Sequence, residues 1–260
     1  MNLFIKILKY ELNNIMRSKW VIAYFMFFLV ITEVLFRFSG DSSRVLVGLM
    51  NIALLLIPLV SIIFGTIHFY NSREFMELLL AQPVKRNVLF SASWLGLVLP
   101  LSLAYVMGLA LPFLLHGTSD FAPYLILLSS GVILSFIFVG LAFIIALKIT
   151  EKSFGVGLAF IVWLFFGVIY DGLIMLIIWQ FSDYPLEAFM IGISSLNPID
   201  LCRITIMLKF DIAALMGYTG AIFEKFFGSL FGIGIAFSML MAWILIPYLI
   251  AKRLFNKKDF

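Results

Sequence analysis

Charge is scarce in this chain. Asp, Glu, Lys and Arg make up 12% of its 260 residues, against 63% hydrophobic ones. Soluble domains carry about a quarter charged residues to cover their surface, so this balance, with a mean hydropathy of +1.14, excludes a water-soluble fold. Cysteine is nearly absent: Cys202 stands alone, which excludes an internal disulfide and any Cys-x-x-Cys metal or redox site. No GxxxxGK[ST] phosphate loop occurs, so the chain has no ATP site of that kind, and neither HExxH nor GxSxG is present. Repeated halves and multiple intramembrane charges, the marks of a secondary transporter, are missing too. The formal charge of +4 reports orientation in a membrane protein before it reports a partner, and nucleic acid is not expected as one. The N-terminus shows no small-residue cleavage site after its first apolar run and does not read as a removable signal peptide.

What is there is long apolar runs. About 20 apolar residues cross the hydrocarbon, and backbone groups in lipid must be satisfied within the segment, so such runs imply helices. The fold class is all-α: an integral membrane protein with spans near Trp20 to Phe38, Val45 to Tyr70, Val88 to Leu115, Tyr124 to Leu147, Phe154 to Trp179 and Leu230 to Ile250. Pro58, Pro100 and Pro112 fall inside spans and predict kinks. Residues 1–19 form an amphipathic interfacial helix, with Leu3, Phe4, Ile7, Leu8, Leu12 and Ile15 on one side and Asn2, Lys6, Lys9, Asn13 and Arg17 on the other, or the plain start of the first span. Thirteen of the eighteen Lys and Arg then fall on the side of the two termini, which the positive-inside rule makes cytoplasmic. The chain is expected to be one transmembrane domain, with a cytoplasmic segment at 71–87, an extracytoplasmic one at 180–228 and a cytoplasmic tail at 251–260.

The segment after span two, Asn71 to Ser93, carries Arg73, Glu74 and Glu77 on one helical side and Phe75, Leu78 and Leu79 on another, with Pro83 stopping the helix after Gln82. A short helix of this kind either docks a soluble partner or lies as a solvated loop helix against its own bundle. In the outer segment, Asn197 can cap a helix that begins at Pro198, with Asp200 in its first turn. Leu201, Ile204, Thr205 and Leu208 share a face, and Asp200 and Arg203 can pair. That helix either packs on the tops of the spans or receives a periplasmic partner; Asn197, Asp200, Arg203, Lys209 and Asp211 are its candidate surface. Phe223, Phe226 and Phe227 predict an interfacial anchor ahead of span six.

Two acids lie at membrane depth, where a charge demands a reason. Glu33 precedes Arg37 by four residues and reads as an interfacial pair before a pathway residue. Asp171 has no basic neighbour in sequence. It either faces a polar path, or Asp171-Gly172 ends the helix and leaves Leu173 to Trp179 as a re-entrant piece. His68 and His116 are lone histidines, and the 12 Met residues form no facing cluster; packing is the expected role of both, and no metal site is expected.

The run Glu77-Leu78-Leu79-Leu80-Ala81-Gln82-Pro83-Val84-Lys85-Arg86 resembles the ELLL-x-x-PV-x-R segment of ABC-2 type permeases, with Phe75-Met76 where a Gly-Thr pair is common. The resemblance implies an ABC-2 exporter-like bundle of six spans behind an amphipathic helix. It makes Arg73, Glu74, Phe75, Glu77, Leu78, Leu79, Pro83, Lys85 and Arg86 a coupling segment for a cytoplasmic ABC ATPase. It also implies two ATPase copies, a second copy of this chain, a bacterial inner-membrane location, and ATP and Mg held by the ATPase with no cofactor in this chain. Leu196-Asn197-Pro198-Ile199-Asp200 and the run from Asp211 to Gly220 are similar to permeases of the nitrous-oxide-reductase maturation transporter. Those work with a periplasmic copper-site assembly protein (NosD-like), possible cargo being a sulfur species. Other exported substrates (a drug, lipid or peptide) and a non-transporting anchor that signals to an outer partner stay open.

Overall fold

The computed structural model describes residues 3–39, 41–117, 121–181, 192–207 and 230–258, with side chains from Gly234 onward in the last of these. Among the described residues no strand occurs, and six helices are long and apolar enough to cross a membrane. This is the all-α membrane fold read from composition.

The helices are α1 (Leu3–Met16), α2 (Lys19–Ser39), α3 (Ser42–Asn71), α4 (Arg73–Leu80), α5 (Arg86–His116), α6 (Phe121–Lys148), α7 (Lys152–Leu164), α8 (Tyr170–Gln180), α9 (Pro198–Met207) and α10 (Leu230–Lys257). Five π-helical residues, Phe165–Ile169, join α7 and α8 into the fifth span. Each span runs a few residues past its apolar core because helix ends are finished by polar residues; Asp41, for instance, caps α3 by accepting from the Ser43 N–H at 3.2 Å. Span six runs furthest beyond the reading, to Lys257. The expected tail from residue 251 is therefore largely helical, and Ala251 and Phe255 are buried in it.

The core sits between α3, α5 and α6. α3 packs most extensively on α6, α2 on α5, and α10 on α6. Without a hydrophobic drive between helices in lipid, such pairs depend on close approach at small residues. A Cβ on Gly65 would meet that of Ala142 at 2.9 Å, and one on Gly108 would meet the Phe28 Cβ at 2.7 Å and the Phe25 carbonyl at 3.0 Å. Aromatic edges then interlock: Phe28 meets Tyr105 edge-on at 5.0 Å, and the Tyr105 hydroxyl donates to the Leu127 carbonyl at 2.9 Å.

Two features depart from the reading. Helices α3 and α5 contain Pro58, Pro100 and Pro112 within their length, and a π-helical turn that the residue pattern did not signal falls in span five, which has no proline. Helix α1 also does more than lie at an interface. It packs along α5 and buries an edge of Ile7, Glu11 and Ile15, Glu11 being only 2% exposed. That carboxylate lies 3.4 Å from His68 Nε2 of α3, and its buried Oε2 has no hydrogen-bond partner among the described residues.

Replacing Gly108 by Leu is expected to lower stability by about 1–3 kcal/mol, since the carbonyl in its way is backbone. Thermal unfolding in detergent checks this, with Gly157→Ala, whose Cβ meets nothing within 4 Å, expected to leave Tm unchanged or slightly raised.

Candidate functional site

The helix after span two forms because one residue, Ser72, separates it from α3; the Ser72 N–H donates to the His68 carbonyl at 2.9 Å and closes the first helix as the second begins. Helix α4 is anchored by Met76, which is buried, and by Phe75, which stacks on Tyr10 of α1 at 5.0 Å. Arg73 and Glu77 pair within the helix at 3.0 Å. The helix closes at Leu80, two residues earlier than Pro83 alone suggested, with Ala81 as its cap. Leu79 and Val84 pack partly against the core. Arg86 turns the other way: its guanidinium donates to the carbonyls of Asn256 (3.0 Å) and Lys258 (2.8 Å), tying the start of α5 to the end of α10. What remains outward is Glu74, Leu78, Ala81, Gln82, Pro83 and Lys85, with Leu78 68% exposed. The predicted segment thus divides into an anchored side and a free side. Helix α1, helix α4 and the C-terminal turn of α10 all meet at this end of the bundle.

At the opposite end, Glu33 pairs with Arg37 and with His116, each at 2.9 Å. Asp171 is not isolated: Arg203 Nη1 donates to it at 2.8 Å and to Asp200 at 3.0 Å. The helix does not end at Asp171-Gly172; α8 continues to Gln180. Each acid has a basic partner, and of the two arrangements expected for Asp171 the re-entrant piece after Gly172 is not found. Sequence could not supply its partner because the two residues are 32 positions apart.

The π-helical turn explains why this network exists. A π-helical turn disturbs the i→i+4 ladder, and the Phe166 carbonyl accepts from the Asn197 side-chain amide at 2.9 Å. The same amide donates to Asp200 at 3.0 Å, and Asn197 Oδ1 accepts from the Ile199 N–H at 3.0 Å, capping α9 as expected. The Tyr170 hydroxyl donates to the Ile193 carbonyl at 2.6 Å. Helix α9 packs on α6, α10 and α3 and is buried on nearly every side, with Ile199, Leu201, Cys202 and Ile206 at 2% or less. Asn197 and Asp200 are themselves buried, at 0% and 6%. This corrects their assignment to an outer contact surface: they face the bundle because they satisfy the bulge. Arg203 is partly exposed; Lys209, Asp211 and the Phe223–Phe227 anchor lie outside the described residues. Burial lifts the Asp200 carboxyl to about 7, with Asp171 adding to the rise and Arg203 opposing it, and burial pushes the Cys202 thiol up to about 12, where it stays protonated. Sequence reading missed Glu11, Met76 and Tyr170. The 7, 11, 15 spacing was the available signal for Glu11.

Six apolar spans, a short helix with one side exposed, and helix α9 locked into the bundle define a polytopic membrane protein with two distinct ends. The chain is similar over its length to ABC transporter permeases. It is 24% identical to a protein from Stutzerimonas stutzeri named as a probable ABC transporter permease protein NosY, over 99% of each chain. It is 25% identical to the protein of the same name from Pseudomonas aeruginosa, over 80% of this chain and 82% of that one. No family model matches the chain. These likenesses support a NosY-like ABC permease subunit.

Two outcomes are expected at the outer network. Asn197→Ala strands the Phe166 carbonyl and uncaps α9, costing about 1–3 kcal/mol of stability as read by thermal unfolding, whereas Ser129→Ala on the exposed edge of α6 changes little. A carboxyl whose folded value lies above its ordinary one stabilises most when protonated. The Asp200 contribution is therefore complete below 3.8 and lost as pH rises through about 7. An unfolding series from pH 4 to 8 should fall more steeply in the native chain than in Asp200→Asn.

Proposed function

We propose that the chain is the membrane-spanning half of an ATP-driven assembly: a symmetric pair of these subunits in a bacterial inner membrane, with two cytoplasmic ATPases docking on α4 and hydrolysing the ATP. The single observation that supports this most is the free side of α4. A leucine 68% exposed on a helix whose other side is anchored, with Glu74 beside it and Pro83 and Lys85 in the turn that follows, suits insertion into a groove on a soluble partner. Full-length similarity to permeases agrees with it. Closure of the ATPases would press on α4, and α3 would carry the displacement, because only Ser72 separates the two. Helix α3 also holds the start of span five: the Tyr70 hydroxyl donates to the Ile149 carbonyl at 3.0 Å, and Lys152 donates to Asn71 at 2.8 Å. Span five in turn holds α9 through Phe166 and Asp171.

That route runs from the driven end to the outer end, and supports signalling toward a periplasmic partner as well as export. We place the assembly in nitrous oxide reductase copper-site maturation, beside a NosD-like periplasmic protein, on the resemblance of the 196–200 and 211–220 runs and the NosY name of the relatives. A sulfur species would be the cargo if one is moved.

Leu78→Asp tests the reading. Removing an apolar anchor of that size and placing a charge there is expected to reduce ATPase co-purification in detergent about ten-fold or more, with expression and Tm unchanged. Full retention of the ATPase would count against docking on α4. Glu77→Lys is less informative, since it also breaks the pair with Arg73.

A further inference from the structure

Two cavities meet at the end of the bundle that carries α1 and α4. A cleft of about 460 Å³ with a mixed lining lies between the α1–α2 junction and the last turn of α3, its polar side supplied by Asn14, Arg17, Ser18, His68, Asn71 and Ser72. An apolar groove of about 350 Å³ runs from it between α2 and α3, bounded by residues such as Ala23, Phe27, Leu56, Leu59 and Ile63. Trp20, Phe64 and Ile67 belong to both. The groove exists because α2 leans on α5 and touches α3 lightly.

A part-polar compartment that shares Trp20, Phe64 and Ile67 with an apolar groove suits an amphiphile, and the charges say which kind. Arg17 is exposed and has no ion-pair partner among the described residues. Lys152 brings a second cation to the rim through its 2.8 Å bond to Asn71. The acid behind the cleft, Glu11, is 2% exposed and lies 3.4 Å from His68 Nε2, and the exposed acid nearest in sequence to Lys152 is Glu151. Ser18, whose carbonyl accepts the first bonds of α2, adds the positive end of that helix. Trp20, 74% exposed, sits where an interfacial aromatic meets headgroups.

We propose that this composite cavity binds one anionic phospholipid of the leaflet facing α1 and α4, its phosphate between Arg17 and Asn71 and an acyl chain along the α2–α3 groove. A guanidinium holds a phosphate by charge-assisted hydrogen bonds, and apolar walls bury chain methylenes in the place of bulk lipid. The site stands apart from the permease reading and does not depend on it.

The test uses the full chain reconstituted in vesicles of equal phosphatidylglycerol and phosphatidylethanolamine, extracted in mild detergent and weighed by native mass spectrometry. One phosphatidylglycerol is expected to stay bound in preference to phosphatidylethanolamine. Arg17→Gln is expected to cut its retention about five-fold, and Ala23→Trp, which fills the groove, by a similar factor. Millimolar inorganic phosphate should not displace it. Equal retention of both lipids, or wild-type retention in Arg17→Gln, overturns the site; loss in Arg17→Gln with none in Ala23→Trp, or displacement by inorganic phosphate, overturns the lipid and leaves an anion cleft. Should Ala23→Trp fail to fold, the exposed Arg17 position and the phosphate competition decide alone.

Discussion

Hydrocarbon supplies neither hydrogen bonds nor counter-ions, and this structure follows from that constraint. Every peptide group in a span must find its partner within protein. Where the π-helical turn at Phe165–Ile169 disturbs the ladder, the Phe166 carbonyl is met by the side chain of Asn197. The acids at membrane depth are met in the same way, Glu33 by Arg37 and His116 and Asp171 by Arg203. Remove these pairings and a charge or carbonyl is left to lipid, at a cost of several kcal/mol for the unpaired group.

The same rule divides the bundle into a frame and a less supported arm. Spans three and four bury 61% and 78% of their most apolar stretches, whereas span five buries 6%. Span five is held near its ends and at its bulge: by Tyr70 and Asn71 of α3 at the start, by Leu55 through the Trp163 indole at 3.0 Å in the middle, and by Asn197 and Arg203 at the outer end. A helix with open apolar flanks and fixed ends moves with whatever holds it, so the contacts with α3 and α9 govern how a push on α4 would reach the outer face. The exposed flanks, including Met175, Leu176 and Trp179, are left to lipid or to the second subunit we propose.

Much of this was legible in the residues. Apolar length placed all six spans to within a few positions, because hydrocarbon thickness fixes how many residues cross it, although α10 runs on to Lys257. The cap at Asn197, the start at Pro198 and the Asp200–Arg203 and Glu33–Arg37 pairs are local, within four residues, and were readable from spacing. What could not be read was long-range. Asp171 looked unpartnered because Arg203 lies on another helix, and Asn197 looked like a surface cap because its second role depends on a π-helical turn that no proline announces. In the segment after span two, the division between anchored Met76 and exposed Leu78 needed the packing of α1 to become visible.

Helix α9 holds span five through an ion pair formed across 32 residues. A double-mutant cycle measures that pair directly: Asp171→Asn, Arg203→Met and the double variant, with unfolding free energies compared in the same detergent. A coupling energy of about 1 kcal/mol or more is expected. Additive effects of the two substitutions would contradict it.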